Sequence, residues 1–364
     1  MGIEVSSETQ PGDILGDYKE TVLGMIPKYW NLTKLGDHVE DLIVPMRDKP
    51  KQFRGQIPWC RIDDINGKYL CTSKNGYFVD KDTISKMNLK VFPKGTVICS
   101  CSANLGICAI AENPLITNQT FIGIVPKNTF DTEFLYYLMI SYAKRLQLLS
   151  TGTTISYLPK DKFENFIVVK PPLNEQRKIA AILSAVDAAI EQTDAIITQT
   201  EQMKKGLMQY VFVTKAAQKK WEITNLSRLA QIEMGQSPPG STYNEIGDGM
   251  PLINGPTEFG QSCPKPIQWT TNPTKVCKKG DILFCVRGSS TGRLNSADRE
   301  YCIGRGVAAI RGKSNKGSTL FIRHYLMHEV PRIYKLAAGG GSTFPNITST
   351  LLNAYPCCSP SLQE

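Results

Sequence analysis

Gly152-Thr153-Thr154-Ile155, running through Pro171-Pro172-Leu173-Asn174-Glu175, is matched without a gap by Gly341-Ser342-Thr343-Phe344, running through Pro360-Ser361-Leu362-Gln363-Glu364. An earlier pair agrees with it: Trp30-Asn31-Leu32-Thr33-Lys34-Leu35 matches Trp221-Glu222-Ile223-Thr224-Asn225-Leu226. A repeat of this length predicts two similar domains. Between the copies lies a stretch with no proline from 173 to 212 and one glycine, Gly206. There Ile179, Val186, Thr193, Thr200 and Leu207 recur every seven residues, and Ile182, Ala189, Ile196, Met203 and Tyr210 form a second track. That is a heptad seam, so the spacer is expected to be one coiled-coil-type helix about 58 Å long. Pro171-Pro172 closes the first domain, and Asn174 is a suitable cap for the helix beyond it.

The domains themselves mix both kinds of secondary structure. Lys94-Gly95 followed by Thr96-Val97-Ile98-Cys99, and Lys279-Gly280 followed by Asp281-Ile282-Leu283-Phe284, read as turn and then strand. The segment Thr132 to Leu149, with its counterpart Thr319 to Leu336, carries apolar residues at helical spacing. The fold class is therefore α/β: two mixed α/β domains joined by a long helix. Expected boundaries are 1–172, 173–214 for the spacer and 215–364, with 1–29 a loosely ordered lead-in.

With 41% apolar and 21% charged residues the composition is that of a soluble globular protein. A net charge of +9 is mild for 364 residues, but its distribution is uneven. Arg47 to Lys94 and Lys278 to Lys335 are both rich in Lys and Arg and fall in equivalent parts of the two repeats. An anionic partner gripped twice would give this pattern, and so would a solvated basic face. Eleven scattered cysteines without framework spacing, and no secretory leader, predict reduced thiols in the cytoplasm.

Pro172-Leu173-Asn174-Glu175-Gln176-Arg177-Lys178-Ile179-Ala180, with the close Gly206-Leu207-Met208-Gln209-Tyr210-Val211-Phe212, resembles the central conserved region of type I restriction-modification specificity subunits. Ile26-Pro27 with Trp30, Gly235 to Gly240 (GQSPPG) and Pro251 to Gly260 (PLINGPTEFG) agree with it. The resemblance covers essentially the whole chain. It implies two target recognition domains, each taking one half of a bipartite, asymmetric DNA site, with the helix as ruler between them. It also implies no catalysis on this chain. Methylase subunits using S-adenosylmethionine, and restriction subunits using ATP and Mg, would be the partners. The residues agree: there is no Asn/Asp-Pro-Pro-Tyr/Phe methylation signature and no phosphate-cradling Gly-x-x-x-x-Gly-Lys-Ser/Thr.

In such proteins a second conserved helix comes after the second repeat, where this sequence reaches Leu362-Gln363-Glu364. A shortened gene or chain would leave the stripe Ile179, Ile182, Leu183, Val186, Ile190, Ile197, Met203 and Leu207 seeking a partner. Self-association through 175–212, or a methylase subunit, is the expectation. Cys357-Cys358-Ser359 also stands where the first copy has the apolar Ile167-Val168-Val169.

For DNA contact the candidates in the first repeat are Arg47, Lys51, Arg54 and Arg61, with Asn104 in the loop Ser100 to Gly106 and Thr153 after Gly152. In the second they are Arg287, Ser289, Ser290, Arg293, Arg305 and Ser342. Arginines recur every six residues from Arg287 to Arg311, and the guanidinium suits both phosphate clamping and guanine recognition. Independent surface arginines would give the same spacing. Two other function classes stay in view: a coiled-coil interaction scaffold that never touches DNA, and a metal-dependent hydrolase built on His324 and His328. The second lacks an evident third ligand.

Overall fold

A computed structural model describes residues 17–102, 104–149, 158–339 and 345–360 of the chain. It separates into two compact units, Met1–Thr193 and Asp194–Glu364.

The first unit opens with strands β1 (Tyr18–Thr21), β2 (Gly24–Pro27), β3 (Asn31–Lys34), β4 (Val39–Ile43), β5 (Ile57–Cys60), β6 (Tyr69–Leu70) and β7 (Phe78–Val79). Helix α1 (Lys81–Met87) comes next, then β8 (Val97–Ser100), β9 (Cys108–Ala111), β10 (Ile116–Thr117) and β11 (Phe121–Pro126). Helices α2 (Thr132–Ser141), α3 (Ala143–Leu149) and α4 (Lys160–Glu164), then β12 (Ile167–Lys170), lead into α5 (Leu173–Gln209). The main sheet has the order β4-β11-β8-β9-β6, a smaller one β10-β5-β7, and β12 pairs with β3.

Strand β8 explains how this sheet is buried on both faces. Val97 and Cys99 join the core that includes Leu135 and Met139 of α2. Ile98, pointing the other way, packs with Phe92, Ala109 and Phe121. Alternation along a pleated strand puts successive side chains on opposite faces, so a strand covered on both sides is a continuous apolar run. Gly95, at φ 84, makes the turn that the sequence placed before this strand.

In the second unit, a π-helical turn (Tyr210–Lys215) and α6 (Ala216–Gln218) precede β13 (Glu222–Asn225), α7 (Leu226–Leu229) and β14 (Ala230–Met234). Next come β15 (Tyr243–Asn244), β16 (Met250–Ile253), β17 (Gln268–Thr270), β18 (Val276–Cys277), β19 (Ile282–Cys285), β20 (Leu294–Ser296), β21 (Tyr301–Ile303) and β22 (Val307–Gly312). Helices α8 (Thr319–Ala338) and α9 (Ser349–Ala354) lead to β23 (Pro356–Ser359). Sheet order is β14-β22-β19-β20 and β15-β17-β16-β21-β18, with β13 paired to β23. The central strands thus repeat the first unit's β4-β11-β8-β9 one for one. Strand β19 splits its side chains as β8 does: Ile282 and Phe284 pack with Ile322 and Leu326 of α8, whereas Leu283 and Cys285 turn to the other core.

Three expectations need correction or refinement. Residues 18–27 are a hairpin, not a loose lead-in: β1 and β2 pair through the loop Val22-Leu23, and Gly24 supplies φ 94 at the turn. The helix expected over 132–149 is broken at Tyr142, where the neighbouring Gly106 comes so close to Ala143 that a Cβ there would lie 2.2 Å from the Ala143 Cβ. Its counterpart α8 runs unbroken through Pro331. Finally, Cys357 and Cys358 take the place of the apolar run. Both are buried in β23 against β13, and burial pushes the Cys358 thiol up to about 11, so these cysteines behave as small hydrophobes. Of the eleven free cysteines, Cys71 and Cys263 are the two not buried.

Helix α5 changes character along its length. Its first two turns are part of the first unit. Gln176 is fully buried, Ala180 nearly so, and Ile179 packs on the core containing Phe130 and Phe134. One turn further on, polar contacts take over. Glu133 of α2 accepts hydrogen bonds from Ser184 Oγ at 2.6 Å and Lys68 Nζ at 3.1 Å, and from the Tyr69 hydroxyl. Tyr137 OH donates to Asp187 at 2.6 Å. Burial pushes the Glu133 carboxyl up, but these donors outweigh it and hold the group below its ordinary value. From 188 to 207 every residue of the helix is exposed.

Candidate nucleic-acid interface

The ladder registers of the two units align the loops at the strand ends residue by residue. Strand β22 pairs Val307 with Cys285, as β11 pairs Phe121 with Ser100. Parallel pairing sets Ile303 beside Ile253, as it sets Thr117 beside Cys60. Counting outward from these pairs, Arg287 corresponds to Ser102, Asn254 to Arg61 and Arg305 to Gln119. The adjoining 3-10 turns are built alike but begin one residue later in the second unit: Asp64 accepts from Arg61 N at 2.7 Å, and Glu258 from Gly255 N at 3.1 Å, so the second unit has one residue more between strand and turn. The same frame therefore presents Arg, Ser and Gln in one unit and Asn, Arg and Arg in the other.

In the second unit these side chains line one open cleft of about 590 Å³ with Ser237, Tyr243 and the backbone of Gly255, Gly288 and Gly306. Among the described residues no carboxylate lines it. The structure also sorts the periodic arginines by what holds them. Arg311 is engaged with buried Asp281 at 2.5 and 2.6 Å, and Arg293 donates to the carbonyls of Pro256 and Phe259 at 3.3 Å. The Arg299 guanidinium lies 5.4 Å from the Tyr301 ring centre. Arg287 and Arg305 are exposed, and among the described residues neither guanidinium has a hydrogen-bond or ion-pair partner. Ser289 is exposed and Ser290 half-buried on the turn after Arg287. Thr153 and Ser342 lie outside the described residues.

The first unit carries a second basic cleft, lined by Asp48, Lys49, Lys51, Gln52, Arg54 and residues of α1. Arg54 is tied by its Nε to Asp80 at 3.0 Å. Arg47 is exposed at a bend after β4, in the segment leading to this cleft, while Arg61 and Asn104 sit apart from it on the strand-end loops. Sequence reasoning missed Lys49. Its Nζ is 5.5–5.7 Å from the ring centres of Phe53, Trp59 and Tyr77, an aromatic cluster that holds the ammonium by cation–π attraction. The signal was present in three aromatics within a basic stretch, but their meeting is a matter of tertiary structure.

His324 and His328, the metal candidates, sit on α8, where the His328 ring packs against Phe212. Among the described residues no group of three or more His, Cys, Asp or Glu side chains is placed to hold a metal ion. No helix among them is long and apolar enough to cross a membrane.

The profile of the type I restriction modification DNA specificity domain matches this chain twice, over residues 27–202 and 218–364. The chain belongs to that family. A relative from Methanocaldococcus jannaschii, bearing the name of the MjaX type I restriction enzyme specificity subunit, is 30% identical over 96% of this chain and 87% of its own length. The MjaVIII specificity subunit of the same organism is 23% identical over 96% of this chain and 86% of its own. Among solved structures, a chain from work on complex assembly and conformational transition of the type I restriction-modification system superposes with a TM-score of 0.57. It is 26% identical, with 93% of this chain and 87% of that one covered. The type I S subunit from M. genitalium shares the fold at a TM-score of 0.60 and 17% identity, over 92% and 86% of the two chains. Family membership explains the twofold architecture: each profile match takes in one α/β unit, and specificity subunits are not catalytic.

Proposed function

We propose that this chain is the DNA sequence-specificity subunit of a type I restriction-modification complex in the cytoplasm, each α/β unit taking one half of a bipartite, asymmetric target. The observation that carries this reading is the paired frame: equivalent strand-end positions hold Arg61, Ser102 and Gln119 in one unit and Asn254, Arg287 and Arg305 in the other. Two readers of different half-sites require a shared scaffold with different side chains at the reading edge. Arg47, Lys51 and Arg54, with Asn104, Ser289, Ser290, Arg293, and Thr153 and Ser342, complete the candidate DNA surface. S-adenosylmethionine, ATP and Mg belong in this scheme to the modification and restriction subunits, and the chain itself binds no cofactor. Selection of full-length protein on a random duplex pool, alone and with a modification subunit, should return a split motif with a fixed gap. Absence of enrichment under both conditions would instead favour a coiled-coil scaffold.

The exposed stripe on α5 is the proposed assembly surface. Ile182, Val186, Ile190, Ile197, Met203 and Leu207 are each more than half exposed, and Leu183 is 38% exposed. Ile179 is excluded from this surface, since it packs on its own unit. Continuous apolar exposure of this length marks an association site. The partner is a modification subunit or a second copy of the chain joined through 175–212. Ile190→Asp should shift the sedimentation profile to smaller species or abolish capture of the modification subunit. An unchanged profile together with unchanged capture would remove α5 from the interface.

A further inference from the structure

The segments around Ser237 and Asn254 both share in the family resemblance. The fold brings both to the cleft that holds Arg287 and Arg305. Asn254 is fixed there by backbone. A Cβ on Gly306 would lie 2.3 Å from the Asn254 carbonyl oxygen, so only glycine fits there, and one on Gly304 would lie 2.1 Å from Asn254 Oδ1 and push the carboxamide aside. The turn Gly304-Arg305-Gly306 is thereby pressed onto Asn254, setting the spacing between its carboxamide and the Arg305 backbone. Arg305 N–H is further anchored on Ser237 Oγ at 3.2 Å. Two guanidiniums without a partner among the described residues, and a carboxamide, thus stand around a floor of glycine backbone.

A phosphate site needs donors alone. This cleft also offers a neutral amide with both donor and acceptor, and the Tyr243 ring, the mixture that base edges require. Arginine pairs with guanine O6 and N7 in a bidentate fork, and asparagine does the same with adenine N6 and N7. We infer that Asn254, Arg287 and Arg305 are the base-reading residues of the second unit, recognising a half-site that contains guanine, read by the arginines, and adenine, read by Asn254. The same three positions carry the code of the first unit. There Arg61 takes guanine and Gln119 takes adenine, while Ser102 is too short to impose a preference of that strength. This assignment rests on the proposed DNA-reading function and sharpens it to three positions per unit.

The test compares wild-type full-length protein with Arg287→Gln, Arg305→Gln, Asn254→Ala and Arg61→Gln by selection on random duplexes, followed by salt titration on the selected site. Thermal unfolding of each variant should stay close to wild type, because among the described residues none of these side chains forms an ion pair. Expected for the first three is loss of preference at one base pair each, about ten- to hundredfold, confined to one half-site. Arg61→Gln should alter the other half-site only. Weaker binding to every sequence alike, with the salt slope falling by about one per arginine removed, would make these residues phosphate contacts and overturn the assignment. Variants that select the wild-type motif would overturn it too. If wild-type protein returned no split motif, the DNA-reading function itself would fail and the assignment with it, an outcome distinct from the other two.

Discussion

Gln176→Ala should destabilise the first unit by about 3 kcal/mol, the largest effect expected of any single side chain on α5. Gln176 is fully buried at the first turn of the helix, and both ends of its carboxamide are hydrogen-bonded. Its Oε1 accepts the Asp131 backbone N–H at 2.9 Å, while Nε2 donates to the carbonyls of Pro171 at 2.9 Å and Thr129 at 3.3 Å. Truncation strands those three backbone groups away from water and leaves a hole. Each unsatisfied buried group costs about 1–3 kcal/mol, and partial relaxation keeps the sum from being additive. For a unit of this size about 3 kcal/mol corresponds to a fall in Tm of roughly 6–12 °C. Hydrogen exchange gives the sharpest readout, because the Asp131 amide loses its own acceptor and should exchange orders of magnitude faster, with the N-terminus of α2 loosening alongside it. Gln176→Met, which keeps the volume and loses the hydrogen bonds, should recover only the cavity part of the loss. A Gln176→Ala protein within about 0.5 kcal/mol of wild type would show that the helix is seated by apolar contact alone.

That result would also bear on why the Glu175-Gln176 pair marks the family resemblance. Glu175 accepts the Trp30 indole N–H at 2.8 Å and lies 3.3 Å from the Tyr29 hydroxyl. Glu175 and Gln176 therefore dock the helix onto the segment before β3 and onto the loop before α2. Their spacing in sequence is dictated by the surface they face.

The parts of this fold legible in the sequence are those whose cause is local. Gly95 and Gly280 announce turns at positive φ, and the apolar runs after them are strands buried on both faces. Pro171-Pro172 marks the point after which α5 begins, at Leu173. What stayed hidden depends on residues distant in the chain. The hairpin Tyr18–Pro27 is largely exposed, and the residue types of its strands, YKET and GMIP, do not alternate between apolar and polar, so nothing in its hydropathy betrays it. Six-residue spacing made five arginines look equivalent. They part company because Asp281, Tyr301 and the carbonyls of Pro256 and Phe259 claim three of them. Equivalence of Asn254, Arg287 and Arg305 with Arg61, Ser102 and Gln119 was invisible for a similar reason. Insertions separate these positions by different amounts in the two repeats, and only the ladder registers bring them into correspondence.

Lengthening α5 should change the gap in the recognised DNA without changing either half-site, the largest functional effect expected here. The segment from Ala188 to Thr200 suits the experiment because it is exposed throughout, so added residues displace no packed side chain. Seven residues inserted there add about 10 Å, close to two helical turns, and rotate the remainder of the helix by only about 20°. The heptad seam through Val186, Thr193 and Thr200 is preserved, so a partner helix can still pair along it. At 3.4 Å per base pair the preferred spacer should grow by about 3 bp. Four residues add about 6 Å and about 40° of rotation, which disrupts the seam. That variant should prefer a spacer about 2 bp longer and bind it more weakly. Duplex selection reads both quantities together. A constant spacer in the seven-residue variant would show that α5 is not the ruler and that the partner subunits set the gap. Altered half-site sequences with a constant gap would mean that the helix acts on the reading loops, a coupling that the exposed character of 188–207 argues against.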